Sequence, residues 1–281
     1  MKIPGAGRVE VHGRIASTNL RARELVAGGA QPFTVVVARE QFRGRGRSGR
    51  DWYSPTGGGL WMSVVLPAPV DGPHGRVSIL LGIAAAEAVE AVTGVAVGLK
   101  WPNDLLLIPP HAGGDAGKVA GILCEVAPVP PSGERASGAG EAAPPPLLVA
   151  GFGVNLRAFP PGTRPPGAVG LEEVAGHPVD REALATALVA SLRRWTNPPA
   201  AGALPPAALS AWTRRDVLFG HPVVTSTGVE GIARGVDPHG ALRIQVQGGA
   251  IMAVTSGSVR RRGAGSPALF RGTHVTVESR S

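Results

Sequence analysis

A run of alternating glycine and arginine lies between two strongly apolar segments, and this arrangement restricts what the chain can fold into. The run at residues 41–52 reads QFRGRGRSGRDW, and the flanking segments at 33–38 and 60–66 are typical of buried strands. Glycine lets a backbone approach a ligand closely, and the planar guanidinium of arginine matches phosphate oxygens. A tryptophan at the end of the run offers a flat face to a base. The pattern favours a loop, held between two core strands, that closes over a nucleotide phosphate.

The alternative for this run is a disordered Arg-Gly segment that binds RNA. Its single occurrence and its apolar flanks argue against that alternative. The formal net charge of +8 and the pI of about 11.0 are compatible with nucleic acid, an anionic membrane or an acidic protein as partner. Arginine-rich composition explains the charge equally well, so the charge alone selects no partner.

The length and composition predict a globular protein. A chain of 281 residues with 43% hydrophobic content can bury a substantial core. The single cysteine, Cys124, excludes an intramolecular disulfide and a cysteine-based zinc site, and its apolar surroundings predict a small core residue. The N-terminus lacks an apolar signal-peptide core, and no apolar stretch reaches membrane-spanning length. We therefore expect a soluble cytoplasmic protein with no membrane partner.

The order of predicted elements indicates an α+β fold followed by an all-β unit. Turn-connected strand patterns favour a mixed or antiparallel main sheet over a doubly wound parallel one. Strands are predicted at 9–12, 33–38, 60–66, 95–100, 105–108, 119–126 and 147–155, and helices at 20–25, 77–92, 181–195 and 207–216. Short strands at 222–226, 229–236, 241–246 and 251–256 predict a small barrel of SH3 size. The predicted organisation is an α+β domain at 1–217, a barrel at 218–263 and a tail at 264–281, with expanded loops at 109–117 and 128–146.

Two polar segments follow apolar ones in the first domain. Ser17-Thr18-Asn19 stands at a predicted helix N-terminus, where free N–H groups favour polar ligands, although simple N-capping also explains it. Lys100-Trp101-Pro102-Asn103-Asp104 gathers a cation, an indole, an amide and a carboxylate. The carboxylate of Asp104 could contact a magnesium ion bound to phosphate, or Asn103 and Asp104 could form only an Asx turn.

Two strand segments carry further candidate site residues. Lys118 opens the segment KVAGILCE, in which Gly121 lets a ligand lie against the backbone. Lysine occurs only at positions 2, 100 and 118, so a lysine beside an apolar strand suggests more than a solvated strand end. The segment GFGVN at 151–155 ends with Asn155 and lacks the third glycine of a dinucleotide-binding fingerprint.

These motifs, in this order, resemble those of the biotin protein ligase family, the biotin–[acetyl-CoA-carboxylase] ligases. The resemblance covers residues 9–155 by motif and the β barrel by general character. It implies a class II synthetase-like catalytic domain with a C-terminal SH3-like barrel. It also implies a two-step reaction, in which biotin and ATP form biotinyl-5′-AMP and pyrophosphate, and a lysine of a biotin carboxyl carrier domain then takes the biotin and releases AMP.

The resemblance assigns roles to residues of this chain. It implies catalytic roles for Lys118, Arg45 and Arg47, and a Mg²⁺ contact for Asp104. The residues implied to bind biotin are Ser17, Thr18, Asn19, Gln41, Gly44, Arg45, Lys118 and Gly121. Those implied to bind ATP or the adenylate are Arg45, Gly46, Arg47, Trp52, Lys118 and Asn155.

The resemblance also bears on partners. The expected partner is the carrier domain of an acyl-CoA or pyruvate carboxylase, and the expected state is a monomer or weak homodimer. Some family members carry an N-terminal helix-turn-helix domain and act as repressors, but here the motifs begin near residue 9, so no DNA binding is expected. A lipoate or octanoyl ligase of the same fold is the alternative. The arginine-rich loop and the barrel favour biotin, and a non-enzymatic nucleic-acid binder is a more distant alternative.

Overall fold

The computed structural model describes residues 1–69, 75–107, 117–127, 146–197 and 202–262. The predicted tail at 264–281, and nearly all of the predicted loops at 109–117 and 128–146, lie outside these residues. Within the described ranges, none of the helices has the length and apolar character needed to cross a membrane.

The described part of the chain forms two β-sheets and five α-helices. The first sheet contains β1 (Val9–Ile15), β2 (Val35–Gln41), β3 (Gly59–Pro67), β4 (Val97–Lys100), β5 (Asp104–Leu107), β6 (Gly117–Ala127) and β7 (Leu147–Asn155). Its seven strands lie in the order β1-β2-β3-β7-β6-β5-β4. Strand β1 is parallel to β2, and every other neighbouring pair is antiparallel. The predicted mixed sheet is therefore confirmed.

The helices are α1 (Thr18–Ala27), α2 (Gly75–Thr93), α3 (Leu171–Ala175), α4 (Arg181–Thr196) and α5 (Pro206–Thr213). The short α3 was not predicted from the sequence. Helix α4 begins as predicted, because the Asp180 carboxylate accepts hydrogen bonds from the backbone N–H groups of Glu182 and Ala183 at 2.8 and 3.2 Å. The helix predicted at 207–216 ends earlier, because Asp216 pairs with Leu99 across a β-bridge instead.

Alternating side chains divide the first sheet between two apolar layers. Even-numbered and odd-numbered positions of one strand point to opposite faces. Val64 and Leu66 of β3 therefore join the main core, to which α2 and α4 contribute, whereas Val65 packs with Leu25 and Val26 of α1 on the other face. The odd-numbered positions of β3 consequently face α1, and this face of the sheet forms the floor of the site described below.

The second sheet is antiparallel and follows α5. Its strands are β8 (Pro222–Thr225), β9 (Glu230–Val236), β10 (Leu242–Gln245), β11 (Ile251–Val254) and β12 (Val259–Arg261), in the order β11-β10-β9-β8-β12. This confirms the predicted small β unit, in which β12 had not been anticipated. The exact domain boundaries at 217/218 and 263/264 remain predictions. The two sheets are joined through their turns, because the buried indole Nε1 of Trp101, between β4 and β5, donates to the carbonyl of Gly240, between β9 and β10, at 3.0 Å.

Candidate active site

One cavity of about 1310 Å³ opens at the α1 face of the first sheet. Every residue to which the sequence analysis assigned a role lines it. These residues are Ser17, Thr18, Asn19, Gln41, Gly44, Arg45, Gly46, Arg47, Trp52, Asp104, Lys118, Gly121 and Asn155. They come from α1, from four strands and from the loop after β2, so the fold brings together segments that are far apart in the chain.

A continuous chain of polar side chains lies at the N-terminus of α1. The Gln41 Oε1 accepts hydrogen bonds from the backbone N–H and the hydroxyl of Thr18, at 2.8 and 3.0 Å, and the Gln41 Nε2 donates to Ser54 at 2.9 Å. Ser63 donates to Asn19 Oδ1 at 2.6 Å, and its oxygen lies 2.8 Å from that of Thr18. Because these side chains are mostly buried and mutually bonded, they form a pre-organised polar end of the cavity.

The predicted N-capping alternative for Ser17-Thr18-Asn19 is not what the structure shows. Ser17 occupies the N-cap position of α1, but its side chain makes no capping hydrogen bond. All three side chains are buried, with relative exposures of 2 to 4%. Buried polar groups that do not cap the helix are available to organise a binding site.

Two glycines on adjacent strands form the floor under Trp52. Gly121 of β6 and Gly153 of β7 are direct partners in the sheet. A Cβ atom at Gly153 would lie 2.3 Å from Trp52 Nε1, and one at Gly121 would lie 2.9 Å from Trp52 Cζ3. Only glycine therefore lets the indole lie flat on the strands. The indole N–H is buried, and it has no acceptor among the described residues.

Lys118 stands beside this indole. Its ammonium lies 5.2 Å from the centre of the Trp52 ring and 2.6 Å from Asp104 Oδ1. The backbone carbonyl of Lys118 accepts a hydrogen bond from Asn155 Nδ2 at 3.3 Å, and Asn155 is itself buried. The ammonium is thus held over the cavity by a carboxylate and an aromatic face, in a position to meet an anionic ligand.

The arginines of the glycine-rich loop differ in their surroundings. Arg47 Nη1 donates to Asn103 Oδ1 at 3.1 Å, and burial is the main reason that the pKa of Arg47 lies below its ordinary value. Arg45 is exposed and pairs with Asp51 through a backbone β-bridge. The loop is closed by the backbone N–H of Trp52, which donates to the Gly44 carbonyl at 2.9 Å. One guanidinium is therefore fixed inside the cavity, while the other lies at its rim.

The structure adds residues that sequence reasoning missed. Ser63 and Glu125 join the polar chain at α1 without lining the cavity, and Thr225, Ser258 and Arg260 of the second sheet line its far side. Glu125 could have been noticed as the last residue of the segment KVAGILCE. No local pattern marks the residues of the second sheet, since their position depends on how the two sheets pack.

The residues around Asp104 are compatible with one Mg²⁺ contact. The described ranges contain no group of three or more His, Cys, Asp or Glu side chains that could hold a metal ion. Magnesium that bridges substrate phosphates needs only one or two protein carboxylates. Asp104 supplies one carboxylate at the cavity, next to the ammonium of Lys118.

Comparison with known proteins identifies the family of this chain. The sequence model of the Biotin/lipoate A/B protein ligase family matches residues 12–139, and that of the Biotin protein ligase C terminal domain matches residues 224–262. A protein of Paracoccus denitrificans named biotin–[acetyl-CoA-carboxylase] ligase is 35% identical over 240 residues, which cover 82% of this chain and 90% of the relative. This chain belongs to the biotin protein ligase family.

Two further similarities agree with this assignment. The bifunctional ligase/repressor of Salmonella typhimurium is 34% identical over 270 residues, which cover 92% of this chain and 76% of that protein. The solved structure of the biotin protein ligase from Aquifex aeolicus in complex with biotin and ATP has a TM-score of 0.69 and 24% identity, with 91% and 99% of the two chains covered. The latter similarity shows that the fold is shared, and it confirms the fold predicted from the sequence.

Proposed function

We propose that this chain is an ATP-dependent biotin protein ligase that forms biotinyl-5′-AMP and transfers the biotin to a lysine of a carrier domain. The proposal depends above all on one observation. A cavity of suitable size is lined at one end by hydrogen-bonding side chains, including the buried Thr18 and the partly buried Gln41, and elsewhere by the cations Arg47 and Lys118. An uncharged polar end suits the ureido ring of biotin, and the cations suit a carboxylate and a phosphate.

In the first step, an oxygen of the biotin carboxylate attacks the α-phosphorus of ATP, and the bond to the β-phosphate oxygen breaks to release pyrophosphate. Negative charge spreads over the oxygens around this phosphorus. Lys118, which lies 2.6 Å from Asp104, and the half-buried Arg47 supply positive charge beside these oxygens. A Mg²⁺ ion at Asp104 would add positive charge to the phosphate oxygens.

In the second step, the neutral amine of the carrier lysine attacks the acyl carbon of the mixed anhydride. An amide bond forms, the acyl–oxygen bond breaks with its electron pair going to AMP, and the amine loses a proton. The mixed anhydride also reacts with water, so the loop at 43–52 protects it by covering the cavity. Trp52, lying on the two strand glycines, anchors the end of this cover.

The proposal extends to partners and location. The relative from Paracoccus denitrificans acts on acetyl-CoA carboxylase according to its name, so the proposed partner is a carboxylase carrier domain. A cytoplasmic location, a monomer or weak homodimer and a requirement for Mg²⁺ belong to the same proposal.

The decisive assay is exchange of labelled pyrophosphate into ATP, with biotin or lipoate offered in turn. We expect exchange that requires biotin and a divalent cation. Exchange with lipoate alone would support the lipoate ligase alternative, which the broad family model also includes. Tight, salt-sensitive binding of nucleic acid without any pyrophosphate exchange would reject the proposal that this chain is an enzyme.

A further inference from the structure

Glu125 ends the segment KVAGILCE but does not line the cavity. It lies on β6, on the face that carries α1, and its side chain is 26% exposed. Its Oε2 accepts a hydrogen bond from Asn19 Nδ2 at 2.9 Å, whereas its Oε1 lies 3.7 Å from Nη1 of Arg23. One carboxylate oxygen therefore faces the polar chain at α1, and the other faces a partly exposed guanidinium.

Nearly all the hydrogen-bonding groups of the Asn19 amide have partners within the protein. An asparagine amide offers two N–H donors and two acceptor lone pairs. Both donors are engaged, one with Glu125 and one with the Leu123 carbonyl at 3.3 Å, and Oδ1 accepts from Ser63 at 2.6 Å. Asn19 is only 4% exposed, so losing one of these partners would leave a buried polar group unsatisfied.

These partners allow one orientation of the amide. Rotating it by half a turn would set its oxygen against two oxygen acceptors, those of Glu125 and Leu123. In the observed orientation, Oδ1 points over Gly151, where a Cβ atom would lie 2.1 Å from it. The Glu125 carboxylate and the Leu123 carbonyl together therefore determine that Asn19 turns its nitrogen toward β6 and its oxygen toward the cavity side of the sheet.

Resting on the proposed function, we propose that Glu125 is a positioning residue for biotin binding, which acts through Asn19. Asn19 and Thr18 are adjacent in the first turn of α1, and Ser63 contacts both. By holding Asn19, Glu125 holds the end of α1 against the sheet and keeps Thr18 in reach of Gln41. A ureido group presents two N–H donors and one carbonyl in a rigid ring, so it needs acceptors and donors in fixed places.

The test uses Glu125→Met, Glu125→Gln and Arg23→Ala in the biotin-dependent exchange assay. Methionine removes the acceptor, and we expect the KM for biotin to rise about tenfold, as for loss of a charge-assisted hydrogen bond. The KM for ATP should stay close to that of the wild type. Glutamine keeps an acceptor oxygen and should restore most of the biotin affinity. Arg23→Ala is the matched control, because it removes only the solvent-side ion pair and should change the KM for biotin less than about twofold.

The inference is rejected if Glu125→Met leaves the KM for biotin unchanged, or raises both KM values equally. Failure of the glutamine variant to restore biotin affinity would also reject it. If Glu125→Met does not fold, Ser63→Ala tests the same point from the other side of Asn19, and an unchanged KM for biotin would then reject the inference. Wild-type protein without biotin-dependent exchange would instead reject the proposed function itself.

Discussion

At the residue scale, the site combines two kinds of side chain. Lys118 is a compact ammonium held 2.6 Å from Asp104 and 5.2 Å from the Trp52 ring, whereas the basic positions of the loop at 43–50 are all arginine. Arginine gives a fixed fork of donors for phosphate, and lysine gives a point charge that can move between a carboxylate partner and a ligand. This difference between the two side chains explains why position 118 is a lysine in a chain whose basic residues are mostly arginine.

We predict that Lys118→Ala lowers the rate of biotin-dependent pyrophosphate exchange by at least about 100-fold, because it removes a preorganised charge at the reacting phosphate. The far-ultraviolet circular dichroism spectrum should be unchanged, since the ammonium is partly exposed. Lys2→Ala, at an exposed position, is the control. Near-normal exchange in the Lys118 variant would contradict the catalytic role.

At the scale of elements, the loop after β2 is closed on itself and held against the rest of the protein by several contacts. Arg47 bonds to Asn103, Trp52 bonds to the Gly44 carbonyl, and the Trp52 indole lies on Gly153 and its neighbour in the sheet. None of these contacts is a backbone hydrogen bond between strands of the sheet, so the loop can open without breaking the sheet. A cover of this kind suits a reactive intermediate that water would destroy.

We predict that Arg47→Ala releases the adenylate faster than the wild type does, because the loop loses its bond to Asn103 and its contact with phosphate. The measurement is the amount of free biotinyl-5′-AMP after one turnover without carrier. Arg243→Ala removes the same charge from an exposed position of the second sheet and should retain the intermediate normally. Equal retention in both variants would argue against a protective cover.

We predict that Gly153→Ala opens the loop, because the added methyl would lie 2.3 Å from Trp52 Nε1. Limited trypsin digestion should then cleave after the arginines at 43–50 several-fold faster than in the wild type. Gly13→Ala is the matched control, since a methyl there would meet no atom within 4 Å. Unchanged digestion of the Gly153 variant would show that Trp52 does not anchor the loop.

At the scale of the whole molecule, the cavity is shared by the two sheets. Thr225, Ser258 and Arg260 line it from the second sheet, and the buried Trp101 bonds to Gly240 across the junction. The same short segment, residues 100–104, thus carries a residue that joins the sheets and residues that line the cavity. Packing between the sheets and completion of the cavity are therefore linked.

We predict that Trp101→Phe lowers the free energy of unfolding by about 1–3 kcal/mol, because the buried Gly240 carbonyl loses its donor. Urea denaturation followed by circular dichroism measures this difference. Trp52→Phe makes the same indole-to-phenyl change at a position where the indole N–H has no acceptor among the described residues. It should therefore lower the free energy of unfolding by less than Trp101→Phe does. A larger loss in the Trp52 variant would mean that this hydrogen bond is not what joins the sheets.

The sequence by itself determined most of the strands and helices through local patterns, and its resemblance to a known family indicated the residues that line the cavity. Alternating apolar residues mark the strands, and the motifs around Lys118 and in the glycine-arginine loop are contiguous. Only the tertiary structure decided that Glu125 and Ser63 meet Asn19, from 106 and 44 residues away in the chain. Those contacts follow from the strand order β3-β7-β6 beneath α1, and strand order is set by the packing of the whole sheet, which no local pattern encodes.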